Sequence, residues 1–283
     1  MERDYSSISP SAKSLLLLKG HTDIPFAREA AAFYSQSFIP DFSNAEFSFW
    51  ARVLHFESRY KSINQLMADI DVPNILELSS GFSFRGLDLV CSKDVHYIDT
   101  DLPGIIDIKK EFVNNIEYNK CKGTLETLPL NALDEQAFKS VVDRFENGTI
   151  LFLNEGLLVY LNIAEKERLC RMIYDVLKRR GGYWITADIY VRTEEEMAPE
   201  LKVNDKLAEF FEKHHIRDNM FDSFDTAEKF FHDMGFVIDK VANDNHAELT
   251  SLPHFMKLVT PERLAALQKM KKPQATWRLK VGN

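Results

Sequence analysis

The chain has 283 residues, 45% hydrophobic and 28% charged, with 35 basic against 43 acidic residues and a net charge of −8. This composition excludes an intrinsically disordered or collagen-like chain. The acidic balance argues against a nucleic-acid partner, because such proteins carry a basic footprint. Only 11 residues are glycine, about half of the usual share of roughly 7%. A nucleotide-binding loop in this chain therefore has to work with few glycines.

Neither an export signal nor a membrane segment is expected. The N-terminus, MERDYSS, is polar and lacks the basic and then apolar layout of a signal peptide. No apolar run approaches the roughly 18 residues of a membrane helix. Cys91, Cys121 and Cys170 have no paired spacing, which is typical of reduced thiols. We expect a soluble, cytoplasmic protein that binds no membrane.

The first 72 residues have the hydrophobic period of helices with aromatic faces, as in Phe47, Trp50 and Leu54, and they predict a helical cap. From Pro73 onward, short apolar runs alternate with helical stretches. Strands are predicted at residues 74–78, 95–99, 123–130, 149–153 and 183–187. Strands that alternate with helices at this spacing predict βαβ units and a parallel sheet.

A helix is predicted between the fourth and fifth strands, since Asn162 and Glu165 can form a capping box and Gly181 can end the helix. Residues 236–241 and 276–281 are two further strand candidates, expected to pair in antiparallel fashion. The sequence thus predicts an α/β fold of the Rossmann-like type. Its seven-stranded, mostly parallel sheet would carry helices on both faces, an antiparallel C-terminal strand pair and a helical N-terminal cap.

We expect one compact unit. Residues 1–72 would form the cap, and residues 73–283 would form the sheet domain with a helical insertion around residues 193–232. Cap and insertion together would cover the side of the site where a second substrate enters.

Polar residues follow four of the predicted strands. In an open parallel sheet, ligands bind outside the carboxyl ends of the strands, where the strand order reverses. The residues at these ends are ELSSGFSFRG after the first strand, DTDLP after the second, Asn131 after the third and NEG after the fourth. Asp99 and Asp101 lie 18 and 20 residues beyond Gly81, where a carboxylate would hold a ribose diol. We interpret these segments as one pocket.

The loop after the first strand does not fit a dinucleotide. The pattern G-x-G-x-x-G fails, because SSGFSF keeps only its middle glycine. Close approach of a pyrophosphate is therefore disfavoured, and a cofactor without phosphates suits this loop better.

Three segments, NILELSSGFSFRGLDL, HYIDTDLPGIIDIKK and LFLNEGLLVYL, stand in this order in the chain. Together they resemble the class I S-adenosylmethionine-dependent methyltransferases. More narrowly, they are similar to the leucine carboxyl methyltransferase-like family, which includes bacterial polyketide-type O-methyltransferases. The resemblance covers roughly residues 55–190. Two positions depart from the family pattern, since Ser79 replaces a motif glycine and Ser83 a motif aspartate.

The resemblance implies S-adenosylmethionine as the cofactor. Gly81 and the backbone around Ser79 would approach its methionine part, and Asp101 would hold the ribose hydroxyls, with Asp99 as the competitor for that role. Asn131 would accept from the adenine amino group. The complete set of implied cofactor contacts is Lys13, Arg59, Glu77, Ser79, Gly81, Arg85, Asp99, Asp101, Leu102, Asn131, Ala132 and Glu155.

Further roles follow from the same resemblance. Arg59 would pair with the cofactor carboxylate, assisted by Lys13, and Glu155 would meet the cationic end of the cofactor or the substrate. Glu155 and Tyr160 are the catalytic candidates. If the acceptor is a hydroxyl, a general base is needed, and Glu155 is the first candidate. If the acceptor is a carboxylate, no base is required.

The implied function is S-adenosylmethionine-dependent O-methylation of a small-molecule carboxylate or hydroxyl. One alternative is a protein carboxyl methyltransferase that acts on a chain terminus, and the basic C-terminal segment is the feature relevant to it. A non-catalytic, cofactor-binding scaffold of the same fold is another, and a nicotinamide dehydrogenase ranks third among the enzymes. The histidines show no metal-binding spacing, so no metal is expected.

Overall fold

A computed structural model describes residues 9–116, 121–192, 209, 212–243 and 246–282, and of residues 9–11 and 246 only the backbone. The strands are β1 (Asn74–Leu78), β2 (His96–Asp101), β3 (Thr124–Pro129), β4 (Ile150–Asn154), β5 (Gly182–Tyr190), β6 (Phe236–Val241) and β7 (Gln274–Val281). The helices are α1 (Ser9–Lys19), α2 (Ala27–Tyr34), α3 (Phe47–Met67), α4 (Arg85–Ser92), α5 (Pro103–Asn114), α6 (Glu135–Val142), α7 (Ile163–Arg180), α8 (Phe224–Asp233), α9 (Leu252–Met256) and α10 (Pro261–Lys269).

The strands of the described part form one seven-stranded sheet in the order β3-β2-β1-β4-β5-β7-β6. Strands β1 to β5 pair in parallel, and β7 pairs in antiparallel fashion with both β5 and β6. The predicted Rossmann-like α/β fold is therefore confirmed. Each predicted strand is present, with ends that differ by a few residues.

Local sequence explains where several elements begin. The β1 residues NILEL are all buried, as expected for a central parallel strand that is covered on both faces. Helix α7 starts with the predicted capping box, in which the Asn162 side chain accepts from the Glu165 amide and the Glu165 side chain accepts from the Asn162 amide. Pro103 opens α5, where its missing N–H costs nothing.

The hydrophobic core lies on both faces of the sheet. On one face, α6, α7 and α8 pack around Trp184 and Phe231, and on the other, α3 and α4 pack around Tyr97 and Ile185. Helices α1 and α2 form a third cluster against Phe82 and the loop after β1. The predicted helical character of the N-terminal segment is confirmed for its described part, whereas the division into cap and sheet domain stays a prediction. Residues 193–208 of the expected insertion lie outside the described residues.

The prediction of reduced thiols is wrong for two cysteines. Cys91, near the end of α4, and Cys121, just before β3, form a disulfide, while Cys170 is free and buried. The two partners are 30 residues apart, so only the return of the chain to the same sheet edge brings them together. Separately, no helix within the described residues combines the length and the apolar character needed to cross a bilayer.

Candidate functional site

A cavity opens at the carboxyl ends of β1, β2 and β4. The sheet register aligns these ends, because Glu77 pairs with Asp99 and Leu78 pairs with Asn154. The strand order reverses between β1 and β4, and open α/β sheets bind their ligands at that point. The cavity encloses about 1030 Å³, open solvent at its mouth included.

The cavity wall combines an apolar surface with a few charged groups. Its lining residues are Ala12, Leu15, Leu16, Lys19, Arg59, Ser79, Ser80, Gly81, Phe82, Ser83, Asp101, Leu102, Ile105, Leu130, Asn131, Ala132, Leu133, Glu155, Gly156, Leu157, Tyr160 and Leu161. All four loops predicted at the strand ends contribute, and helices α1, α3 and α5 supply further parts of the wall.

The loop after β1 adopts a left-handed backbone at two positions. Ser79 has a φ of 51° and Gly81 a φ of 53°. Left-handed φ favours glycine and is strained for a residue with a side chain, so Ser79 occupies a glycine-like position at a conformational cost. A side chain at Gly81 would contact Ala12 of α1 at 3.7 Å, which shows how closely α1 covers this loop.

The amides of this loop are already engaged. Gly81 N donates to Asp101 Oδ2 at 2.7 Å, Ser80 N donates to the Thr100 carbonyl, and Ser83 N donates to the Ser80 carbonyl. Phosphate cradles need free amide donors. Those three donors are occupied by the protein itself, so they are not free to bind a phosphate.

Asp99 and Asp101 face different surroundings, although only one residue separates them. Asp101 lines the cavity and accepts from the amides of Gly81 and Leu102, the latter at 2.6 Å. Asp99 is buried behind the wall, with Oδ2 2.5 Å from Lys109 Nζ, which also donates to Ser80 Oγ. Burial raises the pKa of Asp101, and the two amide donors act against this rise. Of the two candidates for the ribose role, Asp101 is the one that reaches the cavity.

Three cations surround Glu155. Its Oε1 accepts from Lys19 Nζ at 2.8 Å, and Oε2 lies 3.6 Å from Arg85 Nη2. Burial by itself would raise the pKa of Glu155, but the charges of Lys19, Arg59 and Arg85 outweigh it and lower this pKa to about 2. A carboxylate with such a pKa is a weak proton acceptor near neutral pH. The electrostatics therefore disfavour the predicted role of general base.

Arg59 carries the unsatisfied donor of the cavity wall. Its Nη2 donates to Asp188 Oδ1 at 3.0 Å, whereas its Nε is buried and has no hydrogen-bond partner. Leaving a buried charged donor without a partner is costly. Arg59 thus combines a place in the cavity wall with a buried donor that lacks a partner.

Lys19 and Asp188 are site residues that sequence reasoning missed. Lys19 lines the cavity where Lys13 was predicted to act, and Lys13 is exposed and lies outside the lining. Lys13 and Lys19 are six residues apart, so they lie on different faces of α1. Asp188 lies in β5, and no pattern in its surroundings, ITADIY, marks it as a site residue.

The other predicted residues divide into two groups. Arg59, Ser79, Gly81, Asp101, Leu102, Asn131, Ala132, Glu155 and Tyr160 line the cavity. Glu77, Arg85 and Asp99 are buried behind it. Glu77 accepts from Tyr97 Oη at 2.6 Å, and the guanidinium of Arg85 stacks 3.9 Å from the centroid of the Tyr60 ring. These residues support the wall and do not reach the cavity.

Asn131 and its neighbours form the side of the cavity at the end of β3. The Asn131 side chain accepts from the Leu133 amide at 3.1 Å, so its amide nitrogen remains available as a donor. Leu130, Ala132 and Leu133 are buried around it. Within the described residues, no group of three or more His, Cys, Asp and Glu residues could hold a metal ion.

Comparison with known proteins finds similarity in structure alone. No protein-family model and no curated protein sequence matches the chain. Among solved structures it is similar to one titled "A Pericyclic Reaction enzyme", with 8% identity over 79% of this chain and 47% of that chain and a TM-score of 0.46. It is also similar to the S-adenosylmethionine-dependent methyltransferase SibL (13% identity, 83% and 58%, TM-score 0.45) and to the mitomycin 7-O-methyltransferase MmcR (11% identity, 83% and 57%, TM-score 0.47).

The chain spans about half the length of these proteins, from 47% to 58%. At such identities and TM-scores, the similarity transfers no activity to this chain. Its activity has to be argued from its own site.

Proposed function

We propose that this chain is an S-adenosylmethionine-dependent methyltransferase that transfers a methyl group to an oxygen atom of a small molecule. One observation carries the proposal. The cavity is lined by Asp101, whose carboxylate lies at the end of β2, and by Arg59, whose buried Nε has no hydrogen-bond partner. These two groups complement the ribose hydroxyls and the carboxylate of this cofactor.

Asp101 fits the ribose diol because it has acceptor capacity left. Its two oxygens accept one amide each, from Gly81 and Leu102, and a carboxylate offers about four acceptor positions. The apolar side chains of Leu102, Leu130 and Leu133 line the same part of the cavity, where an aromatic base would pack.

Arg59 fits the carboxylate of the cofactor. A guanidinium forms strong hydrogen bonds with carboxylates, and a ligand oxygen at Nε would satisfy the buried donor. In the same loop system, the amides of Ser80, Gly81 and Ser83 are occupied, which disfavours a pyrophosphate. The site therefore suits a sulfonium nucleoside better than a nicotinamide dinucleotide.

The residues of the chain have to position and dehydrate the reactants. When bound, S-adenosylmethionine supplies an activated methyl group and a neutral leaving group, and alignment of two reactants contributes up to about 7–11 kcal/mol. Because the pKa of Glu155 is about 2, this residue holds a negative charge and does not take up the acceptor's proton. We therefore favour an acceptor oxygen that is already ionised, as in a carboxylate or an acidic hydroxyl.

Ligand binding tests the proposal. Saturation with S-adenosylmethionine or S-adenosylhomocysteine, at a concentration of 100 times Kd, should stabilise the fold by about 2.7 kcal/mol and raise the melting temperature. NADH should have no effect. Arg59→Met should abolish the stabilisation, and the matched control Lys13→Met, which removes an exposed cation outside the cavity, should preserve it.

Calorimetry and product analysis complete this test. A wild-type protein that shows neither a heat of binding nor a rise in melting temperature with either compound would overturn the proposal. Binding without methyl transfer to any of a panel of small acids and phenols would instead favour a cofactor-binding scaffold. Mass spectrometry of small molecules released from the purified protein provides an independent check.

A further inference from the structure

One buried carboxylate connects two parts of the cavity wall. Asp188 lies in β5 and is 2% exposed. Its Oδ1 accepts from Arg59 Nη2 at 3.0 Å and from Gly156 N at 2.7 Å. Arg59 belongs to α3, whereas Gly156 belongs to the loop after β4. Asp188 therefore joins a helix on one side of the site to a loop on the other.

The second oxygen of Asp188 holds the same loop at further points. Oδ2 accepts from Asn154 Nδ2 at 2.7 Å, from Leu157 N at 2.7 Å and from Leu158 N at 3.0 Å. The chain turns here into a 3₁₀ helix, Leu158–Tyr160, and the first amides of a helix have no partner within it. Asp188 supplies that partner from a different strand.

A cation holds the other end of this segment. Lys166 is 3% exposed, and its Nζ donates to the carbonyls of Leu161 and Asn219, to the former at 2.8 Å. The segment from Glu155 to Leu161 thus has a carboxylate at its amide end and an ammonium at its carbonyl end. Because Glu155 and Tyr160 both line the cavity, these contacts fix the wall that faces the ligand.

The contact with Arg59 has a directional consequence. A guanidinium is planar and offers its donors in a fixed fork. With Nη2 held by Asp188, one corner of the guanidinium is fixed, and Nε remains as the buried, unpartnered donor of a residue that lines the cavity.

We propose that Asp188 is a positioning residue, which orients Arg59 toward an anionic group of the ligand and at the same time holds the loop that carries Glu155. The identity of that anionic group, the carboxylate of the cofactor, rests on the proposed function. The orientation of Arg59 and the hold on the loop rest on the contacts of Asp188 alone.

Calorimetry on the full chain tests the orientation of Arg59. Asp188→Asn keeps the shape of the side chain but replaces one of the two acceptor oxygens by an NH2 group, which then faces donors of Arg59 or of the loop. We expect the Kd of S-adenosylhomocysteine to rise about tenfold or more. The Kd of its decarboxylated analogue, which lacks the group that Arg59 would bind, should change little. In the Arg59→Met background, Asp188→Asn should cause no further change in the ratio of these two Kd values.

Glu57→Gln is the matched control. Glu57 is another fully buried carboxylate and accepts hydrogen bonds from Thr250 and Ser251, away from the cavity. This variant should lose stability as Asp188→Asn does, but it should keep the preference for S-adenosylhomocysteine over the analogue. Equal weakening of both ligands by Asp188→Asn, or no weakening of either, would overturn the orienting role.

Hydrogen–deuterium exchange tests the hold on the loop without any ligand. Asp188→Asn should accelerate exchange of the amides of residues 156–158, and Glu57→Gln should not. If the wild-type protein binds neither ligand, the proposed function fails, and the exchange experiment alone tests the role of Asp188. Unchanged exchange rates of amides 156–158 in Asp188→Asn would then contradict that role. If the Asp188→Asn variant does not fold, the wild-type protein provides the test. Its amides 156–158 should exchange as slowly as the amides of the core strands, and fast exchange would contradict the proposal that Asp188 holds the loop.

Discussion

Two buried carboxylates of this chain, Glu57 and Glu155, have different sets of partners. Glu57 accepts from the backbone amides and hydroxyls of Thr250 and Ser251, so both of its oxygens have neutral donors, and its Oε1 also lies 3.5 Å from Lys61 Nζ. Glu155 has one hydrogen bond, from Lys19, while its Oε2 has none and faces Arg85 at 3.6 Å. Both oxygens of Glu57 accept hydrogen bonds. Glu155 is stabilised mainly by the nearby cations, and its Oε2 has no hydrogen-bond donor.

The same contrast extends to the surroundings of both carboxylates. In the described part of the chain, the buried side-chain polar atoms without a hydrogen bond belong to Arg59, Tyr60, Glu77, Arg85, Asp99 and Glu155, all in or behind the cavity wall. Buried polar groups are nearly always paired in native proteins. The unsatisfied atoms are therefore concentrated at the cavity, as expected of a region that binds a ligand. The described hydrogen-bond partners of Glu57, which stabilise the fold, have none of them.

The largest expected effect comes from Glu155→Gln. The substitution leaves Lys19, Arg59 and Arg85 without their shared counter-charge, and loss of one partner of a buried ion pair costs about 3–5 kcal/mol. Chemical denaturation near pH 7 should show a fall of this size. Glu57→Gln should cost less, about 2 kcal/mol, because it weakens hydrogen bonds and removes one counter-charge from Lys61, which keeps Asp23 as an ion-pair partner. Equal losses in the two variants would remove the distinction between the regions.

The pH dependence of Glu155 has a definite sign. Its pKa is lowered in the folded state to about 2 from an ordinary value of 4.5. The stabilisation is therefore fully present above about pH 4.5 and is lost as pH falls toward 2. Methyl transfer should accordingly show no inflection from Glu155 between pH 5 and 9, and an inflection in that range that Glu155→Gln abolishes would contradict this assignment.

A smaller effect is expected from the pair Asp99 and Asp101. Asp101→Asn should raise the Kd of S-adenosylhomocysteine about 10- to 100-fold, because a charged acceptor for the ribose hydroxyls is lost. Asp99→Asn, whose carboxylate pairs with Lys109 behind the wall, should lower stability and leave the Kd nearly unchanged. Calorimetry on both variants separates the two roles, and the reverse order of effects would move the ribose contact to Asp99.

The smallest effect concerns Lys166. Burial lowers its pKa from 10.5 to about 8, so the folded state binds this proton less readily than the unfolded state does. Stability should rise with pH between these two values, by about 1 kcal/mol from pH 7 to pH 9. Denaturation curves of Lys166→Met should lack this contribution, and identical pH slopes in wild type and variant would show that Lys166 does not titrate in this range.

Much of the fold could be predicted because its signals are local. The apolar runs of β1 and β4 and the capping box of α7 depend on neighbouring residues, and they lie where the sequence places them. The disulfide between Cys91 and Cys121 could not be predicted, since it depends on how distant elements return to one edge of the sheet.

The site residues that lie at the ends of strands could be predicted from the sequence. Asp101 and Glu155 directly follow or end strands, and they line the cavity. Lys19 was missed because the four consecutive leucines before it do not indicate which face of α1 is buried. Asp188 was missed because its role consists entirely of contacts with α3 and the loop after β4, which no pattern within β5 encodes.

Helix α3 carries Glu57 and Arg59 only two positions apart. Through Glu57 it is fastened to the start of the segment that contains α9, and through Arg59 it reaches Asp188 and the cavity. These two residues tie α3 to separate parts of the fold, the segment that begins at residue 250 and the strand β5. Loss of the tie at Glu57 should therefore lower the stability of the fold, while the contact between Arg59 and Asp188 remains.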